Sequence, residues 1–488
     1  MEKCLRKSEE ESMSDVVLEK KEGEIVAPSW EKFIYPGAEA AGGIYKAYFS
    51  SYINLLAATV YVFSAQIVWL LELLEAGIQW LGAPILGPIY DRFSFKNGKF
   101  WPWWILFGCG TGILYLIFFA IPAFVPNPGD FGALAMILIV FATFSHSGTA
   151  ILGVTQCMYQ GRDEKTRAFM GMRSNFCRNC VRMIVGFVFP VALLSFNKSM
   201  PETHSYALFT AILVFCAVIG FILVAMATKR STIEVLAKTQ KMETRKKRNI
   251  LHTFKAIVTP PPLLIMFLAM LGSKIFFFWV MMGGAFFWRF YMRNFGMFAL
   301  WNLFIGFATM TGCLLIPIIK KFLPDTKRAY VAAFCIQAVV YLISMFVVSP
   351  DNPWGTVIII PVALFFNSIT DGLILPMFGI AAEAVVIKSG ERDYGLSMSV
   401  YSLSIRVGSV VGLSIRMGLL IGAGFNTAAL AAGEATPAAV MDVFKNYIST
   451  WPFFIILAII LLVGLGFRLN DAKAAQLRKD FEAKWGHK

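Results

Sequence analysis

The stretch "GPIYDRFSFKNGKFWPW", residues 87–103, joins two long apolar segments of the chain. It places three basic residues and one acid in a short turn, then returns to apolar sequence through an aromatic cluster that contains Pro102. Basic charge in a short turn between hydrophobic segments is typical of the cytoplasmic face of a membrane protein, and Trp suits the bilayer interface. Gly98 allows the backbone to reverse tightly. The stretch therefore predicts a cytoplasmic turn between two membrane-spanning helices.

The composition of the whole chain favours a membrane protein. Of its 488 residues 57% are hydrophobic and 15% are charged, whereas soluble domains average about 25% charged residues. Apolar runs of about 20 residues, long enough to cross a bilayer, recur from Ala40 to Phe467. The first 30 residues are charged and lack an apolar core, so we expect a solvated tail rather than a cleaved signal. The predicted fold class is an all-α, multi-pass integral membrane protein.

Hydropathy predicts twelve membrane-spanning helices when Pro, Gly and charged residues are taken to mark the boundaries between them. The predicted spans cover residues 39–61, 66–91, 101–124, 133–158, 170–196, 207–228, 261–290, 297–319, 329–348, 357–385, 396–424 and 449–468. Of the 44 Lys and Arg, only Lys198, Arg293 and Lys445 fall in loops on one side, eight fall within spans, and the others lie on the opposite side. Basic loops stay in the cytoplasm, so both termini are predicted to be cytoplasmic.

A long basic segment divides the predicted spans into two groups of six. Residues 229–260 hold nine Lys or Arg against two Glu, a composition that favours contact with an anionic lipid surface. The basic turn at 320–328 occupies in the second group the place that 87–103 holds in the first. The predicted domains are an N-terminal cytoplasmic tail (1–36), a six-helix bundle (37–228), a basic linker (229–260), a second six-helix bundle (261–468) and a C-terminal cytoplasmic tail (469–488).

Two matching halves suggest an internal duplication, which is the architecture of an alternating-access transporter. A helical scaffold or a membrane enzyme is the alternative, but no nucleophile–base pair, metal-ligand spacing or nucleotide motif stands out, and "GCGTG" (108–112) indicates close helix packing. We predict no enzyme activity, no catalytic residue, no metal and no cofactor. The net charge of +14 points to the lipid bilayer rather than to nucleic acid. Most of the eight cysteines lie in apolar runs, so disulfides are not expected.

Three stretches carry a family resemblance. The first, around residues 87–103, has a Pro and a Gly in the span followed by a turn ending in G-K-x-x-P-W, at Pro84, Gly87, Gly98, Lys99, Pro102 and Trp103. The second, "AEAVVIKSGERDYGLSMSVYSLSIRVG" (382–408), has Glu383, Lys388, Gly390, Arg392 and Gly395. The third, "DEKTRAFMGMR" (163–173), ends in Arg173. These motifs resemble those of the glycoside–pentoside–hexuronide:cation symporter family, the melibiose permease relatives.

The resemblance implies the fold of the major facilitator superfamily, with two bundles that rock about a central site. It also implies a cytoplasmic gate that breaks and reforms as the halves move. A simple topology anchor is the alternative role for these basic turns. The predicted gate residues are Asp91, Arg92, Gly98, Lys99, Pro102, Trp103, Lys388 and Arg392.

The chain departs from the family at its cation site. The family carries two aspartates one turn apart in the second span, where this chain has Gln79 and Ala83. The fourth-span aspartate of sodium-coupled members aligns with Gly148. Neutral side chains cannot supply the hard anionic oxygens that suit Na⁺, so Na⁺ coupling by the family's site is not expected.

Glu72 and Glu75 are the candidates for coupling to H⁺ instead. At 100° per residue they share one helical face with Gln79 and Ala83. Two neighbouring acids repel each other when both are charged, so one of them is expected to hold a proton. Glu75 is the first candidate, and Gln79 belongs to the same predicted coupling stripe. The alternative is that both acids lie near the outer interface and face water.

Charges within the spans mark the candidate substrate site, because an intramembrane charge is costly. Arg406 takes the place of the lysine that the family turns toward the cavity, and its planar fork suits carboxylate, sulfate or phosphate. Glu39 lies close to an acidic sugar-binding position of the family. Asp371 either pairs with a base that holds the halves together or binds substrate hydroxyls, and Arg406 can instead pair with an acid. The predicted substrate-binding residues are Arg406, Arg173, Asp371, Glu39 and Lys274.

The sequence thus predicts a secondary active transporter of a glycoside in the bacterial plasma membrane. The excess of in-span bases favours an anionic, hexuronide-like substrate, and Glu75 or Glu72 is the expected carrier of a coupled H⁺. Three alternatives stay open: an uncoupled uniporter or exchanger, a carrier of another organic anion or of a lipid-like solute, and a sensor of the same fold that transports nothing.

Overall fold

The computed structural model describes residues 20–21, 24–25, 29–92, 99–160, 164–231, 261–389, 394–427, 429, 434–469 and parts of 472–479. Within these ranges it leaves out the side chains of 47–51, 79–85, 87–88, 91–92, 154–160, 164–169, 382–389, 394–399 and a few single positions. The predicted basic linker lies almost entirely outside the described residues. Two strands of two residues each, Lys20–Lys21 and Glu24–Ile25, pair antiparallel before the first helix.

Long helices, numbered α1 to α12 along the chain, occupy the described part at the positions of the predicted spans. They are α1 Ile34–Thr59, α2 Ala65–Arg92, α3 Trp101–Phe124, α4 Gly132–Gln160, α5 Glu164–Phe196, α6 Glu202–Lys229, α7 Pro261–Tyr291, α8 Met297–Leu314, α9 Thr326–Val347, α10 Pro353–Ser389, α11 Tyr394–Gly422 and α12 Ala438–Gly466. A short helix, Ile316–Phe322, continues α8 after a 51° bend. Backbone groups can be satisfied within a helix, and this is why apolar segments cross lipid in that form.

By length and apolarity, nine of the described helices can cross a membrane, or ten when α8 and its bent continuation count as one span. The helices α1 and α2 are not in that set. Their side chains are described only in part, and the described part carries Glu39 and Lys46 (α1) and Glu72 and Glu75 (α2). Because charge inside a membrane span is costly and marks function, α1 and α2 are candidates to line a polar pathway.

The helices pack as two groups. Within the first, α1 packs on α5 and α6, α2 on α4, and α3 on α4 and α6; within the second, α7 packs on α10 and α11, α8 on α10, and α9 on α10 and α12. The groups meet chiefly where α5 contacts α8 and α2 contacts α11. This arrangement is two six-helix bundles facing each other, with Ile, Leu, Val and Phe side chains exposed on the outer faces.

Candidate functional site

A cavity of about 550 Å³ lies between the two bundles. Its wall comes from α1 to α5 on one side and from α7 and α11 on the other. The charged or ionisable residues that line it are Glu39, Tyr45, Lys46, Glu72, Glu75, Tyr115, His146, Arg178 and Arg406. A volume of this size falls in the range of small-molecule sites in proteins. The cavity is therefore the candidate substrate site.

Basic side chains from three helices converge on this cavity. Lys46 comes from α1, Arg178 from α5 and Arg406 from α11, so both bundles contribute positive charge. Arg178 forms an ion pair with Glu39 at 3.1 Å between Nη1 and Oε2. This part of the wall carries three positive charges and one negative charge, that of Glu39. It is therefore suited to a carboxylate, sulfate or phosphate, since guanidinium groups bind such anions through paired hydrogen bonds.

The acidic part of the wall belongs to α2. Glu72 is fully buried and accepts hydrogen bonds from the Arg416 guanidinium of α11 and from Asn54. Glu75, one helical turn further along, is 7% exposed and lines the cavity. The described residues give Glu75 no hydrogen bond and no ion pair. The two acids therefore differ: Glu72 is neutralised by a fixed base, and Glu75 faces the cavity without one.

Polar and aromatic side chains complete the wall. Thr143, His146 and Ser147 lie on one face of α4, and all three line the cavity. The His146 ring packs against the Tyr45 ring with centroids 6.3 Å apart, and its Nδ1 atom is buried without a hydrogen-bond partner. Trp104 adds a broad aromatic surface. Hydroxyl, imidazole and aromatic groups of this kind can orient a ring that carries hydroxyl groups.

The predicted substrate residues do not all reach the cavity. Arg406 and Glu39 line it, whereas Lys274, Asp371 and Arg173 are not among its lining residues. Lys274 donates to Asp371 at 2.5 Å, and Asn367 donates to the same carboxylate oxygen at 3.4 Å. Both partners belong to the second bundle, so the pair does not join the two halves. Pairing with a base was one of the two roles predicted for Asp371.

Arg173 lies near the start of α5, where its guanidinium sits 4.6 Å from the centre of the Phe33 ring. A guanidinium stacked on an aromatic face at a helix end is typical of a residue near the membrane interface. The substrate-binding roles predicted for Arg173, Lys274 and Asp371 thus stay predictions without support from the geometry of this cavity.

The predicted cytoplasmic gate is described only in part. Gly98 and Arg392 lie outside the described residues, as do the side chains of Asp91, Arg92 and Lys388, and the side chain of the coupling candidate Gln79. In the described part, Trp103 stacks on Phe107 with ring centroids 5.4 Å apart, next to Pro102 at the start of α3. The ammonium group of Lys99 lies 5.6 Å from the centre of the Phe100 ring.

Sequence reasoning assigned no role to Lys46, Arg178 or Arg416. Each is an intramembrane base, and that is the signal which could have singled them out. It did not distinguish a residue facing the cavity from one that forms a structural pair, because this depends on which helices become neighbours. The described residues hold no group of three His, Cys, Asp or Glu arranged to bind a metal ion.

Comparisons with known proteins agree with the geometry. The family model described as "MFS/sugar transport protein" matches residues 34–471. A lactose permease of Lactobacillus delbrueckii subsp. bulgaricus is 22% identical over 423 residues, which cover 83% of this chain and 64% of that permease. The chain thus spans less than two thirds of the length of this curated relative.

Solved transporter structures share the fold. The nucleoside transporter NupG matches with a TM-score of 0.56 at 15% identity, over 89% of this chain and 99% of that one. A D-xylose-proton symporter matches with a TM-score of 0.56 at 11% identity, over 88% of this chain and 96% of that one. At such low identity these likenesses show the fold alone, and the matching family model identifies it as that of the major facilitator superfamily.

Proposed function

Because the chain belongs to the MFS/sugar transport protein family, we propose that it is a secondary active transporter of an anionic glycoside. The family and the fold support a multi-pass membrane transporter of a sugar-like small molecule. The finer proposal is that the solute carries a carboxylate or a similar anionic group, as a hexuronide does. It would be carried by alternating access across the plasma membrane of a bacterium.

The observation that carries this proposal is the convergence of Lys46, Arg178 and Arg406 on one cavity. An anion held by a guanidinium gains about 1.5–3 kcal/mol per charge-assisted hydrogen bond. A neutral sugar brings no opposite charge to these bases. Thr143, Ser147 and the aromatic residues of the cavity would then contact the sugar ring and its hydroxyl groups.

Coupling to H⁺ is the second part of the proposal, and Glu75 is its carrier. It is a carboxylate in the cavity wall, one turn from Glu72, which Arg416 already engages. A charge on Glu75 has no fixed counterion among the described residues, so binding a proton relieves an uncompensated charge. The ionisable groups next to Glu75 are Glu72 on the same helix and Tyr115 on α3. The other ionisable groups near it are those listed above as lining the cavity.

Thermal-shift measurements on the purified protein test the solute class. Methyl β-D-glucuronide is expected to raise the melting temperature, because a ligand stabilises the state that it binds. Methyl β-D-galactoside at equal concentration is expected to raise it less, and adding Na⁺ is expected to change neither result. A larger shift with the neutral galactoside would overturn the anionic assignment. A shift with neither would favour another organic anion, a lipid-like solute or a non-transporting sensor.

A further inference from the structure

An ion pair joins the two bundles beside the cavity. Glu72 of α2 belongs to the first bundle and Arg416 of α11 to the second, and the guanidinium Nη2 donates to Oε1 of the carboxylate. The two side chains are 0% and 1% exposed, respectively. Asn54 of α1 donates to the same Oε1 atom at 3.2 Å. Any movement that separates α2 from α11 at this level must break the pair.

Other contacts between the bundles lie toward the same end. Thr427, in the loop after α11, donates to the Phe63 carbonyl, in the loop between α1 and α2, at 2.5 Å. Arg289 at the end of α7 lies 3.7 Å from Glu202 at the start of α6. The charge distribution of the loops predicts this end to be extracellular. The Glu72–Arg416 pair is the only one of these contacts, among the described residues, that is both fully buried and charged on both sides.

The pair is incompletely satisfied. Oε2 of Glu72 and both Nε and Nη1 of Arg416 are buried without a hydrogen-bond partner. A buried polar atom left unpaired costs free energy that water would restore. The closed arrangement thus contains a strong attraction, because the charges are desolvated, and a penalty that is relieved when water enters. This combination suits a contact that forms and parts in each transport cycle.

The second bundle makes room for the guanidinium. A methyl group on Gly283 of α7 would lie 2.9 Å from Nη1 of Arg416 and 3.0 Å from the Tyr447 ring. The Tyr447 hydroxyl donates to the Gly283 carbonyl at 3.0 Å, which fixes this aromatic ring beside the arginine. Glycine at position 283 therefore allows Arg416 to reach across to Glu72.

We propose that Arg416 and Glu72 form the gate that closes the predicted extracellular end of the cavity. Glu72 is then a positioning residue of the gate rather than the carrier of a coupled proton, and Glu75 keeps that second role. The inference rests on the proposed alternating-access function, since a protein that never opened at this end would have no use for a separable pair.

Distances between spin labels test the gate without any solute. Labels replace Asn127, in the exposed loop between α3 and α4, and Asp351, in the exposed loop between α9 and α10, in a chain whose eight cysteines have been substituted. Double electron–electron resonance then reports the separation of the two bundles in lipid nanodiscs. The reference is the labelled chain in which Glu72 and Arg416 are intact. In its Arg416→Ala and Glu72→Gln variants, we expect the fraction of molecules with the longer distance between the labels to be at least threefold higher.

Three further variants make the result specific. The charge exchange Glu72→Arg with Arg416→Glu is expected to restore the short distance. Arg289→Ala, which removes a half-exposed pair at the same end, is expected to leave the distribution unchanged. If Arg416→Ala does not fold, Asn54→Ala provides the test, because it removes a hydrogen bond to Glu72 without leaving an unpaired buried charge. We expect Asn54→Ala to shift the distance distribution in the same direction.

The gate assignment is wrong if the folded variants of Glu72, Arg416 and Asn54 all keep the distance distribution of the unsubstituted chain. A shift equal to that of Arg289→Ala would also contradict it, since any contact at this end would then have the same effect. No step of this measurement uses a sugar. A failure of the gate can therefore be distinguished from a failure of the proposed glycoside transport.

Discussion

Arg406 places a guanidinium where the resembling family has a lysine, and the structure puts it in the cavity wall. An ammonium is a compact point charge, whereas a guanidinium offers a planar fork of donors that matches a carboxylate at two atoms. Ser409, which also lines the cavity, donates to the Arg406 carbonyl at 2.7 Å. Under the proposed function, this guanidinium favours an acidic over a neutral solute.

Replacing Arg406 by Ala is expected to weaken binding of methyl β-D-glucuronide about tenfold or more, because a charge-assisted hydrogen bond of about 1.5 kcal/mol or more is lost. Arg406→Lys keeps the charge but not the fork, so an intermediate loss is expected. Binding of a neutral galactoside should change little in either variant. Isothermal titration of the three proteins with both sugars measures these differences, and equal losses for both sugars would assign Arg406 a structural role.

At the scale of helices, most of the fold could be predicted from sequence. The predicted span 101–124 and the helix Trp101–Phe124 agree at both ends, and 297–319 anticipates α8 and its bent continuation. Apolar length decides such elements, because hydrocarbon accepts only helices of sufficient length. The start of α12 was predicted at 449 but lies at Ala438. Polar residues in the first turns of α12, such as Asp442, interrupt the apolar run, so hydropathy predicts only the later part of this helix.

The candidate site was predicted less completely than the helices. Helical periodicity placed Glu72 and Glu75 on one face of α2, but it could not show that Arg416, 344 residues further along, pairs with Glu72. Nor could it show that Lys274 and Asp371 neutralise each other. Such partners depend on which helices become neighbours and at which height, and no local pattern encodes this.

Close packing of α3 was predicted from the "GCGTG" stretch, and the structure confirms it. A methyl group on Gly108 would lie 2.4 Å from Cγ of Phe221 on α6, and one on Gly112 would lie 2.5 Å from the Tyr45 hydroxyl of α1. Tyr45 also donates to the Gly108 carbonyl at 3.0 Å. In a membrane, small residues allow helices to approach closely and gain van der Waals contact.

Gly108→Ala is therefore expected to destabilise the protein by about 1–3 kcal/mol, because the added methyl group overpacks the contact between α3 and α6. Gly110→Ala is the matched control on the same helix, since its nearest neighbour would be Oγ of Ser145 at 3.7 Å, an ordinary contact. The melting temperature in detergent, followed by size-exclusion chromatography, should fall for the first variant and stay near the original value for the second. The same melting temperature for both would contradict the packing described for Gly108.

For the whole molecule, the two bundles and the cavity between them support rocking about a central site. Two contacts hold the halves together at one end, Glu72 with Arg416 and Thr427 with Phe63. This is the end at which the loops are predicted to be extracellular. The predicted cytoplasmic gate lies mostly outside the described residues. Closure at one end and a site between the two halves are features of alternating access.

The central claim is that this cavity carries an anionic glycoside into the cell together with H⁺. Uptake of a radiolabelled glucuronide into proteoliposomes, driven by an inward proton gradient, tests it most directly. The expected result is accumulation that a protonophore abolishes, that unlabelled galactoside inhibits poorly, and that Glu75→Gln reduces to downhill flux insensitive to the gradient. Stronger inhibition by galactoside than by glucuronide, or uptake indifferent to the protonophore in the unsubstituted protein, would contradict the claim.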